Sequence, residues 1–186
     1  HGHHRRQRQM CIRDSPWLHQ CFGGNVEISI IGWIHTILGT LAIIVAVFII
    51  ATQGFIKSKN NLGKFYIVAT LITASTALLM YKNGGFNLAH ILAILTIAAI
   101  ILGITSEKYN ILGISKYIQA MSYTGSVLFH LIPGIAEVNK RLPFDNPMGL
   151  SVLDPINISY YLIFTAIIGT TILIQWYFLW KKKSMG

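Results

Sequence analysis

Three histidines lie inside long apolar stretches of the chain, where polar side chains are costly and by default mark a function. They are His35, His90 and His130, and the acidic Glu137 follows His130 by seven residues, about two turns of a helix. Neutral imidazole is the commonest protein ligand for a metal ion. We therefore expect the three histidines to bind a cofactor or metal, with Glu137 orienting one imidazole or serving as a further ligand.

The stretches that carry the histidines are long and apolar enough to cross a bilayer. Of the 186 residues, 53% are hydrophobic and 11% are charged, whereas about a quarter are charged in a typical soluble domain. Each run has roughly the ~17–25 residues that a helix needs to cross the hydrocarbon layer. The sequence thus predicts an all-α integral membrane bundle, with a four-helix core and a fifth C-terminal transmembrane helix. The predicted spans are residues 28–51, 65–81, 86–105, 117–136 and 160–180.

Basic residues between the spans predict the orientation. Eight lysines would lie on one side of the membrane, against Lys82, Lys140 and Arg141 on the other. Cytoplasmic loops carry the excess of lysine and arginine, so we expect the N-terminus outside and residues 181–186 as a cytoplasmic basic tail. The net charge of +9 is spread over these ends and forms no basic stripe, which argues against nucleic acid as a partner. The eight are Lys57, Lys59, Lys64, Lys108, Lys116, Lys181, Lys182 and Lys183.

These crossing directions place the three histidines at one depth. His35 and His90 come shortly after the outer ends of the first and third spans, and His130 shortly before the outer end of the fourth. At ~1.5 Å of rise per residue, all three would lie about 6–10 Å below the outer interface. Two histidines on facing helices would suit haem b, whereas three with Glu137 would suit copper, zinc or iron.

A structural role for the histidines is the alternative. A histidine within a span often hydrogen-bonds across helices, can reach water near an interface, or can handle protons. The glycines on either side of His35, Gly32 and Gly39, would admit a neighbouring helix or a planar cofactor. Pro133-Gly134, beyond His130, is expected to loosen the fourth helix.

The N-terminal segment differs in composition from the spans. Residues 1–15 are polar and basic, and Met10-Cys-Ile-Arg-Asp-Ser15 resembles the translation of a transposase end sequence used in preparing DNA libraries. We expect residues 1–15 to be non-native sequencing carry-over, and residues 16–27 to form an extracytoplasmic segment. Cys21 is then the remaining cysteine, so no internal disulfide is expected.

Several short motifs occur in the order in which a family of predicted bacterial membrane proteins carries them. The chain resembles that family over about residues 31–143, and the family is catalogued only as a domain of unknown function. The resemblance implies a four-helix membrane core in a bacterial inner membrane and brings no established activity. The motifs are His35 with Gly39, Leu62-Gly63-Lys-Phe-Tyr66, Gly84-Gly85-Phe86 with His90, Ser122-Tyr123-Thr-Gly125, and Glu137 with Arg141-Leu-Pro143.

The chain departs from the family pattern on the inner side. Members often carry a His-Arg pair before the second span and another histidine before the fourth, where this chain has Lys59-Asn60-Asn61 and Ser115-Lys116. If the family uses inner histidines, this chain lacks them, and the outer group remains.

Three functions are compatible with these features. The first is a redox or metal-binding membrane subunit with its histidine centre near the outer leaflet. The second is a non-catalytic accessory or scaffold subunit, in contact with other membrane subunits or with copies of itself as well as with lipid. The third, a small proton-coupled transporter, is disfavoured because the sequence shows no inverted repeat. Whether the protein is an enzyme does not follow from the residues.

Overall fold

Five α-helices make up most of the residues 30–80, 86–109, 113–141 and 152–184, the part of the chain described by this computed structural model. The predicted all-α class is confirmed. The expected N-terminal segments 1–15 and 16–27 lie outside the described residues. The helices are α1 (Ile30–Gln53), α2 (Asn61–Leu79), α3 (Leu88–Lys108), α4 (Ser115–Arg141) and α5 (Pro155–Ser184).

The first four helices form a closed bundle. Each packs against the next one along the chain, and α1 also packs against α4, which closes the ring. Within the described ranges, α5 packs against α4 and against no other helix. The arrangement matches the predicted four-helix core with one appended helix.

The bundle buries several polar side chains and exposes many large apolar ones, as expected when lipid is the solvent. Buried positions include Thr70 and Ser126, each fully buried, whereas large apolar side chains such as Leu79 (70% exposed) and Leu162 (66% exposed) face outwards. A hydrophobic exterior on this scale fits a bilayer and not water. By length and composition, α1, α2, α3 and α5 could each cross a membrane. The chain is therefore a multi-pass helical membrane protein.

Helix α4 is the most polar of the five and is not among those four. Its polar residues include the buried Ser122, Thr124 and Ser126, which are shielded because α4 packs against α1, α3 and α5. The helix continues through Pro133 to Arg141, beyond the predicted span 117–136. Buried hydroxyl groups lower its mean hydropathy without exposing polar groups to lipid.

The other four helices also extend beyond the predicted spans on at least one side. Helix α2 begins at Asn61 instead of Phe65, and α3 continues to Lys108 beyond the predicted residue 105. Helix α5 spans 155–184 where the sequence predicts 160–180. A helix can extend past the hydrocarbon layer into the headgroup region, and hydropathy does not detect those outer turns.

The turn between α1 and α2 is held tightly against the start of α2. Gly54, at φ +74°, reverses the chain in a conformation that favours glycine. A Cβ atom on Gly63 would come within 1.9 Å of the Lys57 carbonyl oxygen, so the backbones touch here. The turn is further fixed by the Ser58 amide, which donates to Glu107 Oε2 (2.8 Å), and by Gln119 Nε2, which donates to the Ile56 carbonyl (3.0 Å).

These contacts gather the lysine-bearing segments at one end of the bundle. Ser58 meets the end of α3 at Glu107, and Gln175 of α5 donates to the Gly54 carbonyl (2.7 Å). The Lys183 ammonium lies 3.7 Å from where a Cβ on Gly113 would stand. The end formed by residues 54–64, 106–109, 113–116 and 175–184 is called the basic end below. It carries the eight lysines that the sequence analysis assigns to one side.

Candidate functional site

His35 lies on α1 and is fixed by α2. Its Nδ1 is 3.0 Å from the Thr73 carbonyl oxygen and 3.2 Å from Thr76 Oγ1. A carbonyl oxygen can only accept, so Nδ1 carries the hydrogen and donates it to Thr73. The neutral ring then presents Nε2 as a lone pair. The side chain is half-buried.

His130 on α4 is held in the same tautomer. A ring N–H donates to the backbone carbonyl of Ser126, one turn earlier on the helix. Nε2 is buried and has no hydrogen-bond partner among the described residues, so Nδ1 is the donor and Nε2 is an unpaired lone pair. A buried polar atom without a partner costs about 1–3 kcal/mol, and such an atom calls for an explanation.

Gly39 brings His130 next to the α1 helix, one turn from His35. A Cβ on Gly39 would be 3.8 Å from His130 Cδ2, the ring carbon bonded to Nε2, and 3.1 Å from Thr73 Cγ2. The Nε2 edge of His130 therefore faces α1. The prediction that Gly39 admits a neighbouring helix is confirmed. Because His130 lies against α1 one turn from His35, the two residues are called the histidine pair below.

His90 has a local role at the start of α3. It is 2% exposed and occupies the N3 position of a capping box, in which the backbone N–H of the N-cap residue Asn87 donates to His90 Nδ1 (3.3 Å). The same Nδ1 lies 2.9 Å from Asn87 Oδ1, and the ring stacks on Phe86 with centroids 5.5 Å apart. The Asn87-x-x-His90 spacing is the sequence signal for this cap, which the predicted ligand role of His90 does not take into account.

Glu137 is exposed on α4, two turns beyond His130. Its carboxylate contributes to the electrostatic environment of His35. Within the described ranges, no group of three or more His, Cys, Asp and Glu side chains is arranged to hold a metal ion. The structure thus brings together two of the three predicted histidines, with Glu137 nearby as a negative charge.

A buried polar cluster continues from the pair towards the basic end. Tyr66, 1% exposed, has its hydroxyl 2.6 Å from Ser126 Oγ and donates to the Tyr123 carbonyl (3.3 Å). The Tyr123 hydroxyl donates to Glu107 Oε2 (3.3 Å). Glu107 is not among the predicted site residues, although an acidic residue at the end of a span is a recognisable signal.

The ring of Tyr123 explains why α3 has a glycine at position 103. A Cβ on Gly103 would be 2.5 Å from Tyr123 Cε1. Since Tyr123 is 1% exposed, the ring has nowhere to move. Helices α3 and α4 therefore cannot slide along each other at this contact. This fixes the height of His130 relative to α3.

Chemically, the pair offers two neutral imidazoles whose Nε2 atoms can accept. In histidine metal sites the second ring nitrogen usually donates to a carbonyl or carboxylate, which fixes the tautomer. Both His35 and His130 have that second contact, to Thr73 and Ser126 respectively. Imidazole ligands suit zinc, copper, iron and nickel.

Comparisons with protein-family models, curated proteins and solved structures give no match.

Proposed function

We propose that this chain is a metal-binding subunit of a bacterial inner (plasma) membrane and holds a transition-metal ion between His35 and His130. The basic end would face the cytoplasm, because eight lysines gather there. The N-terminus would then be outside, and the histidine pair would lie near the outer leaflet.

The observation that carries the proposal is the buried, unpartnered Nε2 of His130. A lone pair in a low-dielectric interior is unfavourable unless something donates to it or binds it. The alternative is that His130 only forms hydrogen bonds. That role would require a donor to its Nε2, and none is within reach among the described residues. A metal ion would satisfy it, and the neighbouring His35 offers a second lone pair.

The packing at Gly39 favours a single ion over haem b. Helices α1, α2 and α4 approach each other there so closely that a Cβ would be 3.1 Å from Thr73 Cγ2. A macrocycle between His35 and His130 would need α1 and α4 to separate. A single ion needs only that two Nε2 atoms converge.

Two protein ligands would leave coordination positions open. Closed four-ligand sites are structural, whereas sites with open positions bind water or substrate and do chemistry. Glu137, whose charge reaches His35, would offset part of the ion's charge. Copper or iron at such a centre would support electron transfer, which is the redox role that the histidine pattern predicts.

Elemental analysis of the purified full-length chain tests the proposal. We expect about one copper, iron or zinc per chain after reconstitution, and at least a tenfold loss of affinity in His35→Ala. His90→Gln is the matched control and should retain the metal, because His90 serves the α3 cap. Reduced-minus-oxidised spectra would be recorded in parallel. Metal-free wild type after reconstitution contradicts the proposal, and a Soret band contradicts the choice of ion over haem.

A second candidate, a subunit of a larger membrane assembly, is favoured by the exposure of α5. Only 11% of the most apolar 18-residue stretch of α5 is buried within the chain. Within the described ranges, α5 packs against α4 alone. A groove of about 380 Å³ lies over α4 between α1 and α5, with Gly134 at its base and Thr40 and Phe164 on its walls. A transmembrane helix could pack there, because glycine permits close approach.

Replacing Gly134 with a larger residue tests whether the chain belongs to an assembly. We expect Gly134→Leu to leave the isolated chain folded, since nothing lies within 4 Å of a Cβ at this position. The same substitution should abolish co-purification of a partner subunit or a second copy from native membranes. Gly169→Leu on α5, which is also open around its Cβ, is the control. A wild-type chain that is monomeric and stable alone in native-lipid particles argues against an assembly.

A further inference from the structure

A groove at the basic end joins α5 to the turn after α1. Its volume is about 440 Å³, and its walls are apolar, formed by aromatic and aliphatic side chains together with two lysines at its edge. The hydrogen bond from Gln175 Nε2 to the Gly54 carbonyl (2.7 Å) fixes the two walls relative to each other. The lining residues are Phe55, Phe178, Leu179, Lys181 and Lys182.

The surroundings of the groove are strongly positive. The basic end carries eight lysines, and among the described residues its one acidic side chain is Glu107. The Glu107 carboxylate already accepts from the Ser58 amide and the Tyr123 hydroxyl. Positive potential therefore dominates this end and favours a negatively charged ligand.

Phe178 is 57% exposed and Trp180 is 60% exposed on the last turns of α5. Aromatic side chains of this kind collect at the interface between hydrocarbon and headgroups, and lysines just beyond them reach the phosphate level. In a bilayer, such a groove would extend from the depth of acyl chains to the depth of lipid phosphates.

We propose that this groove is a binding site for an anionic phospholipid of the adjoining leaflet. One acyl chain would lie against Phe55, Phe178 and Leu179, while the phosphate and headgroup would contact the ammonium groups of Lys181 and Lys182. Basic pockets at the cytoplasmic ends of membrane helices bind anionic headgroups in this way. A free phosphate ion would leave the apolar walls unused, and a zwitterionic headgroup would not match the excess of lysine.

Native mass spectrometry of the full-length chain in a neutral detergent tests the site, with phosphatidylglycerol and phosphatidylcholine of equal chain length as probes. We expect preferential retention of phosphatidylglycerol. Lys181→Gln with Lys182→Gln should weaken that binding about 30-fold, since each lysine near an anionic headgroup contributes roughly fivefold. Lys64→Gln with Lys116→Gln is the control: the same charge is removed at the same end, outside the groove lining, and we expect less than a threefold change.

Two further measurements separate the lipid from other anions. Glycerol phosphate should compete poorly with phosphatidylglycerol because it has no acyl chain. Phe178→Ser should weaken lipid retention at least threefold while leaving the helical circular dichroism unchanged. Equal retention of both lipids, equal losses in the two double variants, full competition by glycerol phosphate, or no effect of Phe178→Ser would each overturn the proposal. None of these measurements depends on the histidine pair.

Discussion

Gly63→Ala should destabilise the folded protein by about 3 kcal/mol, because the added Cβ would come within 1.9 Å of the Lys57 carbonyl oxygen. The obstacle is backbone, so no side-chain rotation can relieve it. The turn would have to move away from α2, which would break the Ser58–Glu107 hydrogen bond and the Gln119–Ile56 hydrogen bond. Alanine's better helix propensity, worth about 1 kcal/mol over glycine, offsets only part of this cost.

The measurement is reversible unfolding in mixed micelles, followed by circular dichroism. Gly125→Ala is the matched control, since it lies within α4 and nothing stands within 4 Å of its would-be Cβ. We expect Gly125→Ala to be neutral or stabilising by up to about 1 kcal/mol. Equal stabilities of the two variants would show that the turn does not pack on α2 as described.

His130→Leu should have opposite effects with and without metal. In the presence of a chelator, the variant should be about 1–3 kcal/mol more stable than wild type, because it removes a buried nitrogen that has no partner among the described residues. With metal at a hundred times its dissociation constant, wild type should gain about 2.7 kcal/mol, and the variant nothing. Metal would therefore stabilise the wild type selectively.

His90→Ala should show the reverse pattern and serves as the control for His130→Leu. It removes a side chain of the α3 capping box, so the chelated protein should lose about 0.5–2 kcal/mol. The metal-dependent gain should remain. Unfolding curves for the three proteins, each with chelator and with metal, give all six values. A metal-dependent gain that survives in His130→Leu would exclude this residue as a ligand.

The helices themselves could be predicted because apolar runs of this length have few alternatives in a chain with so little charge. Their ends could not, since Asn61 and Lys64 are polar enough to suggest a loop and yet form the first turn of α2. Pro133 indicates a loosened helix in the sequence, whereas α4 continues through it to Arg141. Hydropathy reports the lipid-facing surface, and these residues lie where a helix leaves that environment.

Only part of the candidate site could be predicted, because the sequence gives the height of each histidine but not the rotation of its helix. The crossing directions give the height of each histidine, which suffices to place His35 and His130 near each other. They do not give the rotation of each helix about its axis, which decides that His35 contacts Thr73 of α2. His90 has the same predicted depth, but the capping box with Asn87 holds its ring at the start of α3.

The order of helix contacts has a consequence for biogenesis. Within the described ranges, every helix pair in contact is consecutive along the chain except α1 with α4. The bundle can thus grow helix by helix as the ribosome delivers it, and the contact between α1 and α4 is the step that closes the ring. His35 is made with the first of these helices and His130 with the fourth. A partly synthesised chain therefore holds only half of the pair, and metal loading would mark the moment at which the ring closes.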